Sequence, residues 1–327
     1  MTFGVVVIGR NEGERLVRCF DSLGGVPCVY VDSGSTDDSI ENAAQKGVTT
    51  HQLDLSRPFT AARARNEGFQ RLDELVDDLE FVMFVDGDCE ITSNWFSDGL
   101  RAIQLDDKVV AVCGRRRERY PAKSVYNQMC DIEWNTPIGE AKSCGGDAIY
   151  RASAFRQIAG FNESFIAGEE PELCFRLRKV GYRILRIDAE MTWHDAAILH
   201  FRQWWKRTER SGHAYYLGFK AHGLDASEAF RQKELRSIVF WGSIPLLGVI
   251  LSFALLSVWP LFVVLFLYVA QAAKVSRYMK TVRGIGVGIA VKYGLFTLIG
   301  KVPQLLGVVK AWFKLRLGKD MHLVEYK

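Results

Sequence analysis

The sequence predicts an α/β protein with a mostly parallel, Rossmann-like sheet flanked by helices, followed by C-terminal membrane helices. Short apolar runs alternate with amphipathic segments in the first part of the 327-residue chain, which is typical of repeated β-α units. Polar loops containing glycine follow these runs directly, at the place where open α/β sheets bind ligands. Long uncharged runs are confined to the C-terminal part, where they are long enough to meet a bilayer.

The first two apolar runs, residues 5–8 and 28–31, are predicted to be buried strands, and each precedes an amphipathic helix. The second strand leads into a polar loop that starts with Asp32 and Ser33. A carboxylate at this strand end can accept hydrogen bonds from a nucleoside, although an ordinary turn with a helix cap explains the same composition. Because no GxGxxG pattern follows the first strand, a dinucleotide-binding domain is disfavoured.

Two carboxylates, Asp86 and Asp88, follow the apolar run at residues 81–85. The run does not alternate with polar residues, which predicts a strand buried on both faces of the sheet. Hard oxygen ligands beside a diphosphate suit Mg²⁺ or Mn²⁺, and Gly87 lets the backbone approach a ligand closely. Taken alone, the pattern is also compatible with a simple acidic turn.

Charge is divided unevenly along the chain. Residues 1–236 contain 31 Lys+Arg and 36 Asp+Glu, whereas residues 237–327 contain 11 and 2. The neutral-to-acidic first part argues against nucleic-acid binding, and the basic last part favours contact with anionic membrane lipid. The seven cysteines show no paired spacing, which predicts free thiols in a reducing compartment. The N-terminus lacks the basic start of a signal peptide, so we expect a cytosolic folded part.

Arginines cluster in two places. Residues 57–68 open a predicted helix with Arg63 and Arg65, and such a helix can neutralise a diphosphate, although an exposed helix surface is favoured for Arg63. The second cluster, Arg115 to Arg119, follows another predicted strand at 109–114. It can contact an anionic acceptor or lipid headgroups, and a solvated loop is the favoured alternative.

Four motifs occur in a fixed order along the chain: VVVIGRNEGE from residue 5, VDSGSTDDS from 31, AARARNEGF from 61 and FVDGDCE from 84. This order resembles an inverting glycosyltransferase of family 2, which has the GT-A fold, and the resemblance extends to Gly212. It implies a nucleoside-diphosphate sugar donor, with UDP-sugars favoured, and a divalent cation, Mn²⁺ or Mg²⁺. The cation offsets the charge of the departing diphosphate.

The resemblance also implies roles for individual residues. Asp88 and Asp86 would bind the metal together with His194, for which a buried structural histidine is the alternative. Glu170 would be the general base, with Glu169 as the alternative, because this chain has Glu-Glu where the family usually has Glu-Asp. The donor would contact Asn11, Glu12, Asp32, Ser33, Arg65, Asp86, Gly145, Gly146, Arg207 and Arg210.

Glu169 and Glu170 begin a predicted helix that has Pro171 in its first turn. The helix dipole favours an ionised carboxylate there, and such a group can deprotonate an acceptor hydroxyl, although dipole compensation alone is the alternative. Further along, Gln203-x-x-x-Arg207 departs from the Q-x-x-R-W pattern of processive relatives, which argues against processive polymerisation.

Two uncharged runs, 237–257 and 259–273, predict a membrane hairpin at about 237–273. Basic residues at 274–283 mark the cytosolic side, so both termini are expected in the cytosol. A third apolar run contains three lysines nine residues apart, which favours an interfacial helix at about 284–317 over a third span. The basic residues that close it, Lys314, Arg316 and Lys319, would then meet anionic lipid.

The predicted organisation is a cytosolic GT-A domain at 1–235, with a nucleotide-sugar half (1–108) and an acceptor half (109–235), and a membrane-associated region at 236–327. The predicted function is metal-dependent sugar transfer to a hydroxyl of a lipid-linked or membrane-associated glycan in polysaccharide or cell-envelope assembly. It would take place on the cytosolic face of the inner membrane. Two alternatives stay open: transfer to polyprenyl phosphate, which needs no base, and a non-catalytic scaffold that binds nucleotide sugar.

Overall fold

The computed structural model describes residues 1–225 and 228–317, and the chain divides into two compact units, Met1–Ile198 and Leu199–Lys327. The first unit contains the sheet, and the described part of the second unit is helical. Lys319 of the predicted basic end lies outside the described residues.

Strands and helices alternate along the first unit, as the apolar pattern predicts. In chain order they are β1 (Phe3–Gly9), α1 (Glu14–Asp21), β2 (Cys28–Asp32), α2 (Ser39–Gln45), β3 (Thr49–Gln52), α3 (Ala61–Leu75), β4 (Phe81–Asp86), β5 (Cys89–Ile91), α4 (Trp95–Gln104), β6 (Val109–Glu118), α5 (Val125–Trp134), β7 (Gly139–Glu140), β8 (Ala148–Arg151), α6 (Ala152–Gln157), α7 (Glu169–Lys179) and β9 (Arg183–His194).

The strands form one mixed sheet in the order β3-β2-β1-β4-β8-β6-β9-β5, and β7 pairs with β9. β1 to β4 are parallel neighbours, whereas β8 runs antiparallel to both β4 and β6. Helices cover the apolar strands, and the central residues of β1 and β4 have no solvent exposure. This burial on both faces explains why those strands are apolar without alternation.

The carboxyl ends of the parallel strands meet at one edge of the sheet. Gly9 pairs with Asp32 of β2, and the preceding Ile8 pairs with Asp86 of β4. The amide of Gly87 donates to the carbonyl of Ile8 at 2.8 Å and so extends the pairing of β1 with β4, after which the chain turns at 87–88. The first two predicted acidic loops therefore flank the end of β1.

The second unit contains five helices in its described part: α8 (Phe201–His222), α9 (Gln232–Ala254), α10 (Trp259–Thr281), α11 (Val287–Ile299) and α12 (Lys301–Arg316). Small residues allow close helix crossings, since a Cβ on Gly212 or Gly307 would overlap backbone atoms of the facing helix. Trp204 of α8 packs edge-on against Phe296 of α11, with ring centroids 5.2 Å apart.

Three segments of this unit are long and apolar enough to cross a membrane: Gln232–Ala254, Trp259–Thr281 and Val287–Arg316. The first two correspond to the arms of the predicted hairpin and are joined by only four residues, 255–258. The third segment is divided into α11 and α12 at Gly300. Its expected interfacial position remains a prediction, as does the domain boundary at 235.

Two interpretations of the arginine clusters are wrong. Arg63 is buried, and its guanidinium is held by Glu67 and by the carbonyls of Arg57, Pro58 and Asp54. It therefore fixes the start of α3 and is not on a solvated surface. The run from Arg115 belongs largely to β6 and is not a solvated loop, because its arginines meet acids from neighbouring elements: Arg115 with Asp131, Arg116 with Asp147, Arg117 with Glu190 and Arg119 with Glu90.

Candidate active site

One buried guanidinium joins two of the predicted acidic motifs. Arg65 of α3 donates to Asp86 Oδ1 and to Glu169 Oε1, each at 2.7 Å. Burial acts to lower the pKa of Arg65, but the two carboxylates outweigh it, so the pKa is raised. The arginine therefore stays charged and holds the end of β4 next to the start of α7.

Gly146 lies against this ion cluster. Its predicted companion Gly145 has a positive φ of 84° and open space around it. A Cβ on Gly146 would lie 3.0 Å from Arg116 Nη2 and 3.2 Å from both Arg65 Nη2 and Asp86 Oδ2. The absence of a side chain at 146 thus lets the backbone pass directly beside charged atoms.

Asp147, which no sequence motif indicated, has no solvent exposure. It accepts from Arg116 Nε at 2.7 Å and from the Thr192 hydroxyl at 2.7 Å, and its other oxygen lies 2.6 Å from Arg116 Nη2. Asp147 reaches this place because β8 pairs antiparallel with β4, in a register that sets Ala148 against Phe84. Its position directly before the apolar run 148–150 was the available signal, since the other site carboxylates also border strands.

His194 lies beside Asp88 because β5 pairs antiparallel with β9, with Cys89 opposite His194. Nε2 of His194 is 3.2 Å from Asp88 Oδ1, and the ring packs edge-on against Trp134. Burial, reinforced by the cation of Arg116, lowers the pKa of His194 to about 4. The imidazole is therefore neutral at pH 7, which is the form that binds metal.

These donors fit a hard or borderline divalent cation. Asp88, Cys89 and His194 each offer a ligand atom within 4.8 Å of the others. The buried Nδ1 of His194 has no hydrogen-bond partner within the described ranges. A carboxylate and a neutral imidazole suit Mn²⁺ or Mg²⁺ better than the thiol does. Asp86, also predicted as a ligand, already accepts from Arg65, and its metal role remains a prediction.

The two candidate bases face different partners. Glu169 Oε1 accepts from Arg65, whereas Glu170 Oε1 accepts from the amide of Cys144 at 2.6 Å and from the thiol of Cys174 at 2.9 Å. Burial raises the pKa of the Cys144 and Cys174 thiols, so both remain protonated hydrogen-bond donors. Gly168, in the left-handed conformation, precedes the helix and allows both acids to occupy its first turn, as predicted.

The loops after β1 and β2 are hydrogen-bonded to each other. Asn11, with φ 56°, accepts from the amide of Thr36 at 2.7 Å and donates its own amide to Ser35 at 2.9 Å. Asp32 is buried and accepts from the amides of Gly34 and Ser35. Glu12 pairs with Arg15 at 2.8 Å. Asp32 thus shapes its own loop as the turn interpretation expects, and donor contacts at Asn11, Glu12, Asp32 and Ser33 remain predictions.

Arg207 and Arg210 lie three residues apart on α8 and so are neighbours on its surface. Both belong to the second unit, and their predicted contact with the diphosphate remains a prediction.

The mixed α/β sheet, with acids, arginines and a histidine at one edge, has the architecture of the GT-A class, and solved structures share this fold. A mannosyltransferase from Pyrobaculum calidifontis, in complex with GDP-Man and Mn²⁺, matches with a TM-score of 0.59 at 16% identity, over 95% of this chain and 87% of that one. Residues 1–349 of S. aureus TarS match with a TM-score of 0.51 at 16% identity, over 98% and 92%. Both confirm the predicted fold.

Residues 4–157, a little under half of the chain, match the model of glycosyl transferase family 2. The O-antigen chain rhamnosyltransferase RfbN of Salmonella typhimurium is 25% identical over 171 residues, which are 48% of this chain and 52% of that protein. The chain spans about half the length of the curated relatives it matches.

Proposed function

We propose that the chain is a metal-dependent, inverting glycosyltransferase that acts at the cytosolic face of the inner membrane. It transfers a sugar from a nucleoside-diphosphate sugar to a hydroxyl of a lipid-linked or membrane-associated glycan. The observation that carries this proposal is the double contact of Arg65 with Asp86 and Glu169. Through it, the donor-side carboxylates and the acids of α7 share one reaction centre.

Asp88 and His194, with Asp86, would hold the divalent cation and the donor. When bound, the cation supplies positive charge that stabilises the leaving diphosphate. Arg65 keeps Asp86 oriented, and Gly146 leaves room for the sugar to approach the backbone. The acceptor hydroxyl loses its proton to an acid of α7 and attacks the anomeric carbon opposite the diphosphate, so that the configuration inverts.

Glu170 is the stronger candidate for this base. Proton uptake by Glu169 would weaken its ion pair with Arg65. Within the described residues, Glu170 contacts the amide of Cys144 and the thiols of Cys144 and Cys174, and no cation lies at ion-pair distance. It can therefore gain a proton without breaking an ion pair.

A membrane-associated acceptor is supported by the three apolar segments of the second unit. The basic residues in the last turns of α10 and directly after it, at 274–283, favour the cytosolic side, where nucleotide sugars are made. The O-antigen relative supports a glycan chain as the acceptor. UDP-sugars are the first donors to test, followed by GDP- and dTDP-sugars.

The test is release of nucleoside diphosphate by the full chain in detergent, with a membrane lipid extract as the source of acceptor. We expect turnover of one donor with Mn²⁺ or Mg²⁺, its loss in EDTA, and its loss in Asp88→Ala. Asp107→Ala, which removes a fully exposed acid away from the site, is the matched control. Donor binding without turnover of any sugar would favour a scaffold, and activity that survives Glu170→Gln would favour polyprenyl phosphate as the acceptor.

A further inference from the structure

Two thiols converge on the proposed base. Cys144 Sγ and Cys174 Sγ are 3.5 Å apart, and Glu170 Oε1 lies 3.2 Å from the first and 2.9 Å from the second. All three residues are buried, and the reaction described above uses only Glu170. Two sulfurs and a carboxylate oxygen in mutual contact form a donor set of a different chemical kind from the acidic site at Asp88.

Two residues of the cluster come from one helix, and the third comes from a loop distant in sequence. Glu170 and Cys174 are four residues apart on α7 and therefore lie on the same face, one turn from each other. Cys144 comes from the loop between β7 and β8, and its amide donates to Glu170 at 2.6 Å. The hydroxyl of Tyr150 lies 3.0 Å from its sulfur and fixes the thiol from the other side.

We propose that Cys144, Cys174 and Glu170 form a binding site for a thiophilic divalent cation of the Zn²⁺ type. A tetrahedral ion with metal–sulfur bonds of about 2.3 Å and a metal–oxygen bond of about 2.1 Å separates its ligand atoms by roughly 3.6–3.8 Å. The sulfur–sulfur distance of 3.5 Å is close to this value, and the two sulfur–oxygen distances, 3.2 and 2.9 Å, need only small side-chain rotations.

Access to the cluster is one-sided. Glu170 and Cys144 keep 6% and 8% of their surface exposed, whereas Cys174 is fully buried. An ion would therefore enter on the side of Glu170 and Cys144 and displace the thiol protons as it binds. Mn²⁺ and Mg²⁺ prefer oxygen ligands and should not compete for this site.

Occupancy would block the proposed reaction, because a metal-bound Glu170 cannot accept the proton of an acceptor hydroxyl. This inhibitory consequence rests on the proposed function, whereas binding of the ion does not. The cluster would make the transferase sensitive to free zinc while it uses a harder ion for its donor.

The first measurement is a titration of the reduced, detergent-purified full chain with Cd²⁺, in excess Mg²⁺, followed by the ultraviolet charge-transfer band of cadmium thiolates. The titrated chain and all variants carry Cys89→Ser, which removes the thiol beside Asp88. In this background we expect one ion per chain, with loss of the band in Cys174→Ser and in Cys144→Ser. Serine keeps a hydrogen-bond donor of similar size but is a poor ligand for this ion. Cys130→Ser is the matched control, since it removes a buried thiol outside this cluster and outside the one at Asp88, and should keep the band. Thermal melting of each variant verifies that it is folded.

A band that persists in the folded Cys174→Ser variant, or that disappears in Cys130→Ser, would overturn the proposed site. The second measurement compares the inhibition of turnover by Zn²⁺ in the wild type and in Cys174→Ser, each relative to its own untreated activity. We expect inhibition of the wild type only. If no donor is turned over, the proposed function fails, but the cadmium band still shows whether the ion binds at this cluster. If the band forms and Zn²⁺ does not inhibit turnover, Glu170 is not the base.

Discussion

Replacing Asp147 by Asn should destabilise the first unit strongly. Asp147 has no solvent exposure and contacts the guanidinium of Arg116 through both oxygens, at 2.7 and 2.6 Å. After this substitution, the carboxylate left nearest to Arg116 would be that of Asp86, whose Oδ2 lies 3.8 Å from Arg116 Nη2. The arginine side chain is only 14% exposed, so its charge would stay largely buried with a weaker partner.

Removal of one partner from a buried ion pair costs about 3–5 kcal/mol. A folded domain has a total stability of about 5–15 kcal/mol, so this is a large share. For a unit of 198 residues, each kcal/mol shifts the melting temperature by about 2–4 °C. We therefore expect the melting temperature to fall by roughly 6–20 °C in Asp147→Asn.

The assay is thermal unfolding of the full chain in detergent, followed by tryptophan fluorescence. Thr192→Val removes one hydrogen bond from an uncharged hydroxyl to the same carboxylate. Such a bond contributes about 1.5–3 kcal/mol, so the melting temperature should fall by about 3–12 °C, less than in Asp147→Asn. Asp107→Asn changes a fully exposed partner of Arg151 and should have no measurable effect. If Asp147→Asn melts at the temperature of Thr192→Val, the buried pair contributes no more than one hydrogen bond, and this reasoning is refuted.

Three further predictions concern the reaction centre. Glu170→Gln should lower kcat by about 100-fold or more. Glu169→Gln should instead raise KM for the donor, because it loses its ion pair with Arg65. Equal losses of kcat in the two variants would contradict the assignment of the base. Gly146→Ala places a methyl group 3.0 Å from a guanidinium nitrogen and should lower kcat/KM by about 10- to 100-fold, in steady-state kinetics, without abolishing folding. In metal-free protein, the lowered pKa of His194, about 4, means that the unfolded chain takes up the proton first as pH falls. The free energy of unfolding should thus be unaffected above pH of about 6.5 and fall by about 3 kcal/mol between pH 6.5 and 4; denaturant melts that show the same fall in His194→Gln would exclude this cause.

The β-α order of the first unit and the position of its acidic loops could be predicted from the sequence alone. Apolar runs without alternation identified β1, β2 and β4, because burial on both faces leaves a local signature. Carboxylates at the ends of β2 and β4 were then expected at one edge, since parallel strands end together. The acid pair at the start of α7 was also visible, because helix starts carry local signals.

Only the tertiary structure decided which of these residues meet. Asp88 and His194 are 106 positions apart and come together through the pairing of β5 with β9, for which no local pattern exists. The same holds for Arg116, which the basic run suggests is solvated, but which the pairing of β6 with β8 brings beside the buried Asp147. Periodicity reports the burial of a residue relative to its neighbours in sequence, whereas its chemical partners depend on strand order and register, which are fixed by the packing of the whole sheet.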